Sequence, residues 1–308
     1  MRKIPLLIDV DTGIDDAVAI ICATQYQEKY EITAITTVSG NVELKYTSSN
    51  TLNLLNYIEE KNIKVALGAT QPLKKEPIYA ISHGDTGLAD IELPESQEKF
   101  YEKNAVDTIY EMACKYDGEL IVLATGPETN MASALNKYHD LANKIKHIYI
   151  MGGALNCGNM TQVSEFNSYV DPEAFKTVVH SKLPITMVGL DITLKLHWTK
   201  EVLEKIRNIN TKKSSIVTRI MEFTERNSKA KGIDEANMHD VAAFALIVAP
   251  EIFEYQNYYM DVETEGTLTR GMTVVDYVNV TKNPHNVKYA IKLDLEKFWN
   301  WFINTLRK

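Results

Sequence analysis

Residues 4–16 read IPLLIDVDTGIDD, an unbroken apolar run that leads into closely spaced aspartates. The run from Ile4 to Val10 is typical of a strand buried on both faces, as the strands of parallel sheets are. Asp15 and Asp16 then precede apolar residues with helical spacing, and carboxylates are favoured in the first turn of a helix. This stretch therefore predicts a strand, a short acidic loop and a helix, which together begin a β-α-β unit.

The alternation of short apolar runs with amphipathic stretches continues through the first two thirds of the chain. The predicted strands are Ile4–Val10, Glu31–Val38, Lys64–Gly68, Glu119–Ala124, His147–Met151 and Pro184–Val188. The predicted helices are Asp15–Tyr26, Glu43–Glu60, Ala105–Tyr116, Thr129–Tyr138 and Pro172–Ser181. This alternation predicts an α/β fold in which a mostly parallel central sheet is flanked by helices on both faces.

Beyond Thr199 the pattern changes, although no linker, repeat or low-complexity tract divides the chain. We expect, in order, helices at Lys200–Asn208 and Lys213–Asn227, a polar loop at Ser228–Asn237, a helix at Asp240–Val248, extended segments at Phe253–Glu263, Met272–Thr281 and Val287–Leu293, and a closing helix with Phe298, Trp299, Trp301 and Phe302. The aromatic residues of the closing helix are expected to pack in the core rather than to stack on a substrate. The sequence thus predicts a single domain over residues 1–308.

The composition restricts the classes of function. With 308 residues, 45% of them hydrophobic and 24% charged, the chain can bury a sizeable core. A net charge of −8 makes nucleic acid an unlikely partner, since an acidic surface repels phosphates. No apolar run approaches the length of a membrane span, so no membrane association is expected. Three scattered cysteines and an N-terminus unlike a signal peptide indicate the reducing cytoplasm.

Polar residues and glycines follow the predicted strands at the point where each strand ends. These segments are Asp9–Asp16, Ser39–Asn41, Thr125–Pro127, Gly152–Gly153 and Gly189–Asp191. The carboxyl ends of parallel strands meet at one edge of the sheet, and open α/β sheets bind their ligands at that edge. The sequence therefore predicts a binding site there.

The aspartates Asp9, Asp11, Asp15 and Asp16 lie within eight residues, and like charges this close repel unless a cation or protons intervene. Helix capping explains a single aspartate, but the cluster favours a site for Ca²⁺ or Mg²⁺, which prefer oxygen ligands. A magnesium-dependent phosphatase of the haloacid-dehalogenase type is an alternative, because that family places Asp-x-Asp-Gly-Thr after its first strand. Here the last two residues are exchanged, and no paired acidic motif follows a later strand.

The same segment resembles the inosine-uridine-preferring nucleoside hydrolase family, whose hallmark is Asp-x-Asp-Pro-Gly-x-Asp-Asp, with Thr12 in place of the proline. Further motifs similar to those of the family follow in order: Ser39-Gly40-Asn41, His83-Gly84, the stretch from Leu123 to Asn130, Met151-Gly152-Gly153, Glu165-Phe166-Asn167, the stretch from Asp171 to Ala174, His239-Asp240 and the stretch from Thr269 to Thr273. Glu128 stands where the family usually has an apolar residue. One such motif is weak, but the ordered set is specific and covers nearly the whole chain.

The resemblance implies a Ca²⁺ ion held by Asp11, Asp16, Asp240 and the backbone carbonyl of Thr125, which leaves positions open for a water and the ribose diol. It also implies that the ion lowers the pKa of its water, that Asp11 acts as general base and that His239 donates a proton to the departing base. Three ligand charges of −1 against +2 leave the site at about −1, which suits an oxocarbenium-like sugar.

The resemblance also implies which residues bind ribose. Asp15 and Asn41 are expected to hold the ring hydroxyls, and Asn159, Glu165 and Asn167 the remaining hydroxyls, since carboxylates and amides are good partners for hydroxyl groups. The substrate-binding set further includes His83, Met151 and Phe166.

The expected reaction is hydrolysis of the N-glycosidic bond of purine or pyrimidine ribonucleosides, giving ribose and free base. The family resemblance also implies a homo-oligomer, either a dimer or a tetramer. A non-catalytic nucleoside- or sugar-binding module is a second alternative. Asp11 and His239 argue against it, because binding alone requires neither a general base nor a general acid.

Overall fold

The computed structural model describes residues 2–80, 82–230, 232 and 236–308. Its strands are β1 (Ile4–Val10), β2 (Tyr30–Thr37), β3 (Val65–Leu67), β4 (Leu120–Ala124), β5 (Ile145–Met151), β6 (Ile185–Val188), β7 (Phe253–Tyr258), β8 (Met260–Val262), β9 (Thr273–Val275) and β10 (Val287–Leu293). Eight of them form one sheet in the order β3-β2-β1-β4-β5-β6-β10-β7, in which all neighbours are parallel except β10 and β7. Strands β8 and β9 pair separately and antiparallel. The predicted α/β fold with a mostly parallel sheet is confirmed.

Helices cover both faces of this sheet. They are α1 (Ile14–Thr24), α2 (Leu44–Tyr57), α3 (Ala105–Tyr116), α4 (Thr129–Lys137), α5 (Phe166–Val170), α6 (Pro172–Val179), α7 (Leu190–Thr193), α8 (Lys200–Arg207), α9 (Lys212–Ala230), α10 (Asp240–Val248) and α11 (Leu295–Leu306). Helix α1 packs against α9, α10 and α11, whereas α3 and α6 pack against α4. Two buried apolar clusters result, one on each face.

Strand β1 explains how one segment serves both clusters. Side chains alternate across a strand, so Leu6 and Ile8 belong to the cluster with α1, and Leu7 belongs to the opposite one. All three are fully buried, which accounts for the unbroken apolar run. Because β1 is central, with β2 and β4 as neighbours, its carboxyl end places Asp9 and Asp11 in the middle of the sheet edge.

The C-terminal third departs from the predicted pattern in three places. The expected extended segment Phe253–Glu263 is divided into β7 and β8, and only Thr273–Val275 of the segment Met272–Thr281 is a strand. After β9 the carboxylate of Asp276 accepts the backbone N–H groups of Val280 and Thr281, which favours a turn over extended pairing. Helix α9 extends to Ala230, and positions 231 and 233–235 of the predicted polar loop lie outside the described residues.

The closing helix α11 packs its aromatic face in the core. Phe298 and Phe302 are fully buried, and Trp299 is nearly so. Their rings contact one another at centroid distances of 5.1 to 6.3 Å. This confirms the prediction that these aromatic residues serve packing. Within the part of the chain that the structure describes, no helix is both long and apolar enough to cross a bilayer.

Candidate active site

A cavity of about 510 Å³ opens at the carboxyl edge of the sheet, as the topology predicts. All of the predicted site residues except Asp11 and Asp16 line this cavity: Asp15, Asn41, His83, Thr125, Met151, Asn159, Glu165, Phe166, Asn167, His239 and Asp240. These residues come from segments spread over more than two hundred positions of the chain. The fold therefore brings the predicted set together around one space.

Asp11 and Asp16 are buried next to the cavity and are held by backbone and side-chain donors. Asp16 accepts the backbone N–H of Gly13 at 2.9 Å and the hydroxyl of Thr125 at 2.7 Å. Asp11 Oδ2 accepts the backbone N–H of Asn41 at 2.6 Å. Gly40 permits this approach, because a Cβ atom there would lie 2.1 Å from Asp11 Oδ2.

The acidic groups form a cluster suited to a cation. Oxygens of Asp15, Asp16 and Asp240 lie within 4.8 Å of one another, and all three residues are buried. Burial, followed by repulsion from neighbouring carboxylates, raises the pKa of Asp11, Asp16 and Asp240. Among the described residues, no lysine or arginine forms an ion pair with this cluster. Buried carboxylates of this kind require protons or a metal.

The cluster differs in one member from the predicted ligand set. Asp16 and Asp240 belong to both, whereas Asp15, which the sequence assigns to ribose, is near them in place of Asp11. Asp11 Oδ1 and Asp15 Oδ1 are both buried without a hydrogen-bond partner among the described residues. Such orphaned oxygens fit a cation or substrate, so the donors present suit a hard metal ion.

Asn167 links two other residues that line the cavity, Thr125 and Met151. Its Nδ2 donates to the carbonyl of Thr125 at 2.7 Å and to the carbonyl of Met151 at 3.2 Å. A carbonyl has two lone pairs, so Thr125 retains one for another partner. Ligation by Thr125 and Asp11 stays a prediction.

Two histidines line the cavity and have different hydrogen-bond partners. The backbone N–H of Ile14 donates to His83 Nδ1, which is 3.9 Å from Asp15 Oδ1. His239 Nδ1 is 2.8 Å from the hydroxyl of Thr193 in α7. Burial lowers the pKa of His239, and the charge of Asp15 opposes that shift.

Glu165 is held by three backbone donors. Its carboxylate accepts the N–H groups of Gly153 and Asn167 at 2.9 Å each and that of Ser168 at 3.1 Å, as the N-cap of α5. Burial raises its pKa to about 7, although these donors lower it. The site thus fixes the orientation of this carboxylate before any ligand arrives.

Sequence reasoning missed two parts of the site. The outer rim includes Ile78, Tyr79, Ser82 and Met160, which lie in irregular segments without any periodic signal. Thr193 was missed because α7 has four residues, which is too short for a helical pattern. Only the proximity of a small polar residue to Asp191, after a predicted strand, could have suggested it.

Thr12, one of the two departures from the family pattern, and the nearby Asp9 are both held by hydrogen bonds in the protein interior. The Thr12 hydroxyl is 2.7 Å from that of Thr51 in α2 and is fully buried. Asp9, the nucleophile that the phosphatase alternative requires, is also buried and accepts hydrogen bonds from Thr36 and Asn130. Neither Thr12 nor Asp9 lines the cavity among the described residues.

A binding cavity at the carboxyl edge of a doubly covered sheet defines a protein that acts on or binds a small molecule. Comparison with known proteins gives the class. Residues 6–300 match the family model described as inosine-uridine preferring nucleoside hydrolase. The pyrimidine-specific ribonucleoside hydrolase RihA of Escherichia coli O81 (strain ED1a) is 37% identical over 307 residues, covering 99% of this chain and 98% of the relative.

Comparison with solved structures gives the same class of protein. The purine-preferring ribonucleoside hydrolase from Gardnerella vaginalis superposes with a TM-score of 0.91 at 31% identity, covering 98% of both chains. The plant nucleoside hydrolase PpNRh1 superposes with a TM-score of 0.92 at 30% identity, covering 99% of both chains. This chain belongs to the inosine-uridine preferring nucleoside hydrolase family, and it is an enzyme that acts on N-glycosyl compounds. Family membership decides against the phosphatase and the binding module.

The second departure, Glu128, generates a stability prediction. Its side chain is fully buried, and neither carboxylate oxygen has a hydrogen-bond partner among the described residues. Burial, followed by the charge of Asp9, raises its pKa well above the usual value. Replacing it with an apolar side chain of similar volume, Glu128→Met, should therefore increase the free energy of unfolding at pH 7 by about 1–3 kcal/mol.

The sign of the pH dependence follows from the raised pKa. Below the unfolded-state pKa of about 4.3, Glu128 is protonated in both the folded and the unfolded protein. As the pH rises toward the folded-state pKa, the unfolded protein loses this proton more readily, so the destabilisation caused by Glu128 grows. The gain from Glu128→Met should thus be larger at pH 7 than at pH 4.5 in denaturant titrations. The exposed control Glu98→Met should change stability by less than about 0.5 kcal/mol. A Glu128→Met protein less stable than wild type at pH 7 would contradict the prediction.

Proposed function

We propose that this enzyme is a Ca²⁺-dependent hydrolase of purine or pyrimidine ribonucleosides that yields ribose and the free base. The observation that carries the proposal is the cavity in which a buried acidic cluster faces polar side chains suited to hydroxyl groups. A nucleoside is neutral and rich in hydroxyls, so it matches such a cavity without the repulsion that an anion would meet.

The residues we assign to the metal are Asp16 and Asp240, completed by Asp11 and the carbonyl of Thr125. The buried, uncompensated charge of these carboxylates supports the assignment. A bound Ca²⁺ supplies positive charge that acidifies water and orients hydroxyl groups.

Asp11 is the proposed general base. Its Oδ2 is already engaged by Asn41, which leaves the unpartnered Oδ1 to take a proton from the attacking water. The water oxygen forms a bond to the anomeric carbon, and the electron pair of the C–N bond leaves with the base. The surrounding carboxylates stabilise the positive charge that develops on the sugar.

His239 is the proposed proton donor to the departing base. When the Thr193 hydroxyl donates to Nδ1, the imidazole proton resides on Nε2, which makes Nε2 the donating atom. His83 also lines the cavity, and we assign it to substrate binding together with Met151 and Phe166.

The remaining polar residues are proposed to hold ribose. Asp15 belongs to the acidic cluster, Asn41 donates a hydrogen bond to Asp16 of that cluster, and both residues line the cavity and suit the ring hydroxyls. Asn159, Glu165 and Asn167 also line the cavity and suit the remaining hydroxyls. Glu165 near the 5′ hydroxyl would repel a phosphate, so nucleotides are expected to be poor substrates.

The cytoplasm is the proposed location, and a homo-oligomer the proposed state. All three cysteines are free, which supports a reducing compartment. The dimer or tetramer rests on the family resemblance, and size-exclusion chromatography with light scattering tests it. A monomer at micromolar concentration would contradict it.

A nucleoside panel tests the proposed function. We expect the protein to release ribose from at least one of uridine, cytidine, inosine and adenosine, measured by a reducing-sugar assay, with base release followed by chromatography. The matching 5′-monophosphates should react much more slowly. No sugar release from any nucleoside in the presence of Ca²⁺ would refute the function, and equal cleavage of a nucleotide would refute the placement of Glu165.

Metal removal tests the role of the acidic cluster. Chelation should abolish sugar release, and added Ca²⁺ should restore it, because uncompensated carboxylates cannot stabilise water deprotonation in their midst. Asp240→Asn should weaken Ca²⁺ binding, measured by calorimetry, by at least about 10–100-fold. The control Asp90→Asn changes a surface carboxylate paired with Arg226 and should leave binding unchanged. Full activity in protein shown by elemental analysis to be metal-free would contradict the assignment.

The leaving group tests His239. General acid catalysis is typically worth about 10²–10⁴-fold, so His239→Ala should lose that much kcat on uridine or inosine. It should lose little on p-nitrophenyl riboside, whose leaving group needs no proton. The control His285→Ala alters an exposed histidine and should behave as wild type. Equal losses on both substrates would instead mean that His239 orders the neighbouring Asp240.

A further inference from the structure

Between β5 and α5 the chain makes a long irregular excursion, which we call the wall loop (residues 153–165). It carries Asn159 and ends at Glu165, and both line the cavity. A loop holds a side chain only as firmly as its supports allow, because it lacks the hydrogen-bond ladder of a helix or strand. The contacts that support the wall loop therefore determine how firmly its cavity-lining side chains are positioned for a ligand.

One support comes from residues 264–273, which connect β8 to β9 and include Thr273, the first residue of β9; we call this segment the clamp turn. The buried hydroxyl of Thr273 accepts the backbone N–H of Ala154 at 3.0 Å and donates to the carbonyl of the same residue. The preceding residue, Gly153, donates its N–H to Glu165. The Thr273 hydroxyl thus fixes both peptide groups of Ala154, which directly follows Gly153, a donor to the Glu165 carboxylate.

The other end of the wall loop is held by the same turn. Ser164 donates its hydroxyl to the carbonyl of Arg270 at 2.6 Å, and Ser168 donates to the carbonyl of Gly271 at 2.8 Å. These two serines lie on either side of Glu165 in the chain. The clamp turn therefore supports Glu165 from both directions.

The clamp turn is itself anchored to helix α6. The Arg270 guanidinium pairs with both oxygens of Glu173 at 3.0 and 2.9 Å, in a largely buried bidentate geometry. Gly271 has φ +79°, and a Cβ atom there would lie 2.6 Å from Tyr169 Cα. Glycine at this position permits the turn to lie directly against α5.

We propose that Thr273 and Arg270 are positioning residues that hold Glu165 for the ribose 5′ hydroxyl, although the clamp turn does not line the cavity. The inference rests on the proposed function, and specifically on the hydroxyl that Glu165 meets. A merely structural role would impair all substrates alike. A positioning role impairs only substrates that carry the 5′ hydroxyl.

The test compares Thr273→Val with Thr273→Ser and with Thr267→Val, the same chemical change at an exposed position of the clamp turn. Each variant is assayed with the ribonucleoside that the wild type cleaves fastest and with its 5′-deoxy analogue. Thr273→Val should lose about 10–100-fold in kcat/KM on the ribonucleoside, since small misplacements of a binding group have effects of this size. It should change little on the 5′-deoxy analogue. Thr273→Ser should recover most of the loss, and Thr267→Val should match wild type.

Arg270→Lys breaks the bidentate pair with Glu173. It should therefore lower kcat/KM on the ribonucleoside relative to kcat/KM on the 5′-deoxy analogue. Equal losses on both substrates, or no loss in Thr273→Val, would overturn the inference, and thermal melting of each variant identifies a general folding defect. A wild type that cleaves ribonucleosides but treats the 5′-deoxy analogue equally would also overturn it while leaving the proposed function intact. A wild type without sugar release would refute both.

Discussion

The fold gathers carboxylates that no lysine or arginine among the described residues balances, and this electrostatic constraint governs the whole edge of the sheet. Asp11, Asp15, Asp16 and Asp240 are buried side by side, and the pKa of three of them is raised by burial and mutual repulsion. Such a group is stable only with protons or a bound cation. The arrangement of strands and helices around it is therefore best understood as a frame that holds like charges together.

Two helix N-termini contribute to that frame. Asp15 and Asp16 lie in the first turn of α1, Asp240 is the first residue of α10, and the two helices pack against each other. The positive ends of their dipoles converge on the carboxylates, a contribution of about 0.3–1 kcal/mol each and up to about 2 in buried geometry. The free-energy cost of burying several carboxylate charges exceeds this sum, since burying even one uncompensated ion costs several kcal/mol. The helices thus position the cluster, and protons or a bound cation complete its neutralisation.

The sequence predicts the frame well, because the frame is periodic. Continuous apolar runs give the parallel strands, and polar residues at their ends give the edge where the cavity lies. The sequence predicts the positions of individual side-chain atoms less well. The spacing of the aspartates does not determine which of their oxygens converge. The structure brings Asp15, rather than the predicted Asp11, close to Asp16 and Asp240. Residues in irregular segments, such as Tyr79 and Met160, owe their direction to tertiary contacts that leave no pattern in the chain.

Glu128 shows how the same constraint extends beneath the cavity. Its burial without a hydrogen-bond partner among the described residues raises its pKa well above that of a free glutamate. A carboxyl in this environment is neutral when its pKa exceeds the ambient pH, because the charged form has no compensating donor. In its neutral form Glu128 adds no charge to the carboxylates that line and adjoin the cavity. An apolar residue there would also be uncharged and would avoid burying polar oxygens without partners, so this departure from the family pattern costs stability but leaves the charge of the cavity unchanged as long as Glu128 is neutral.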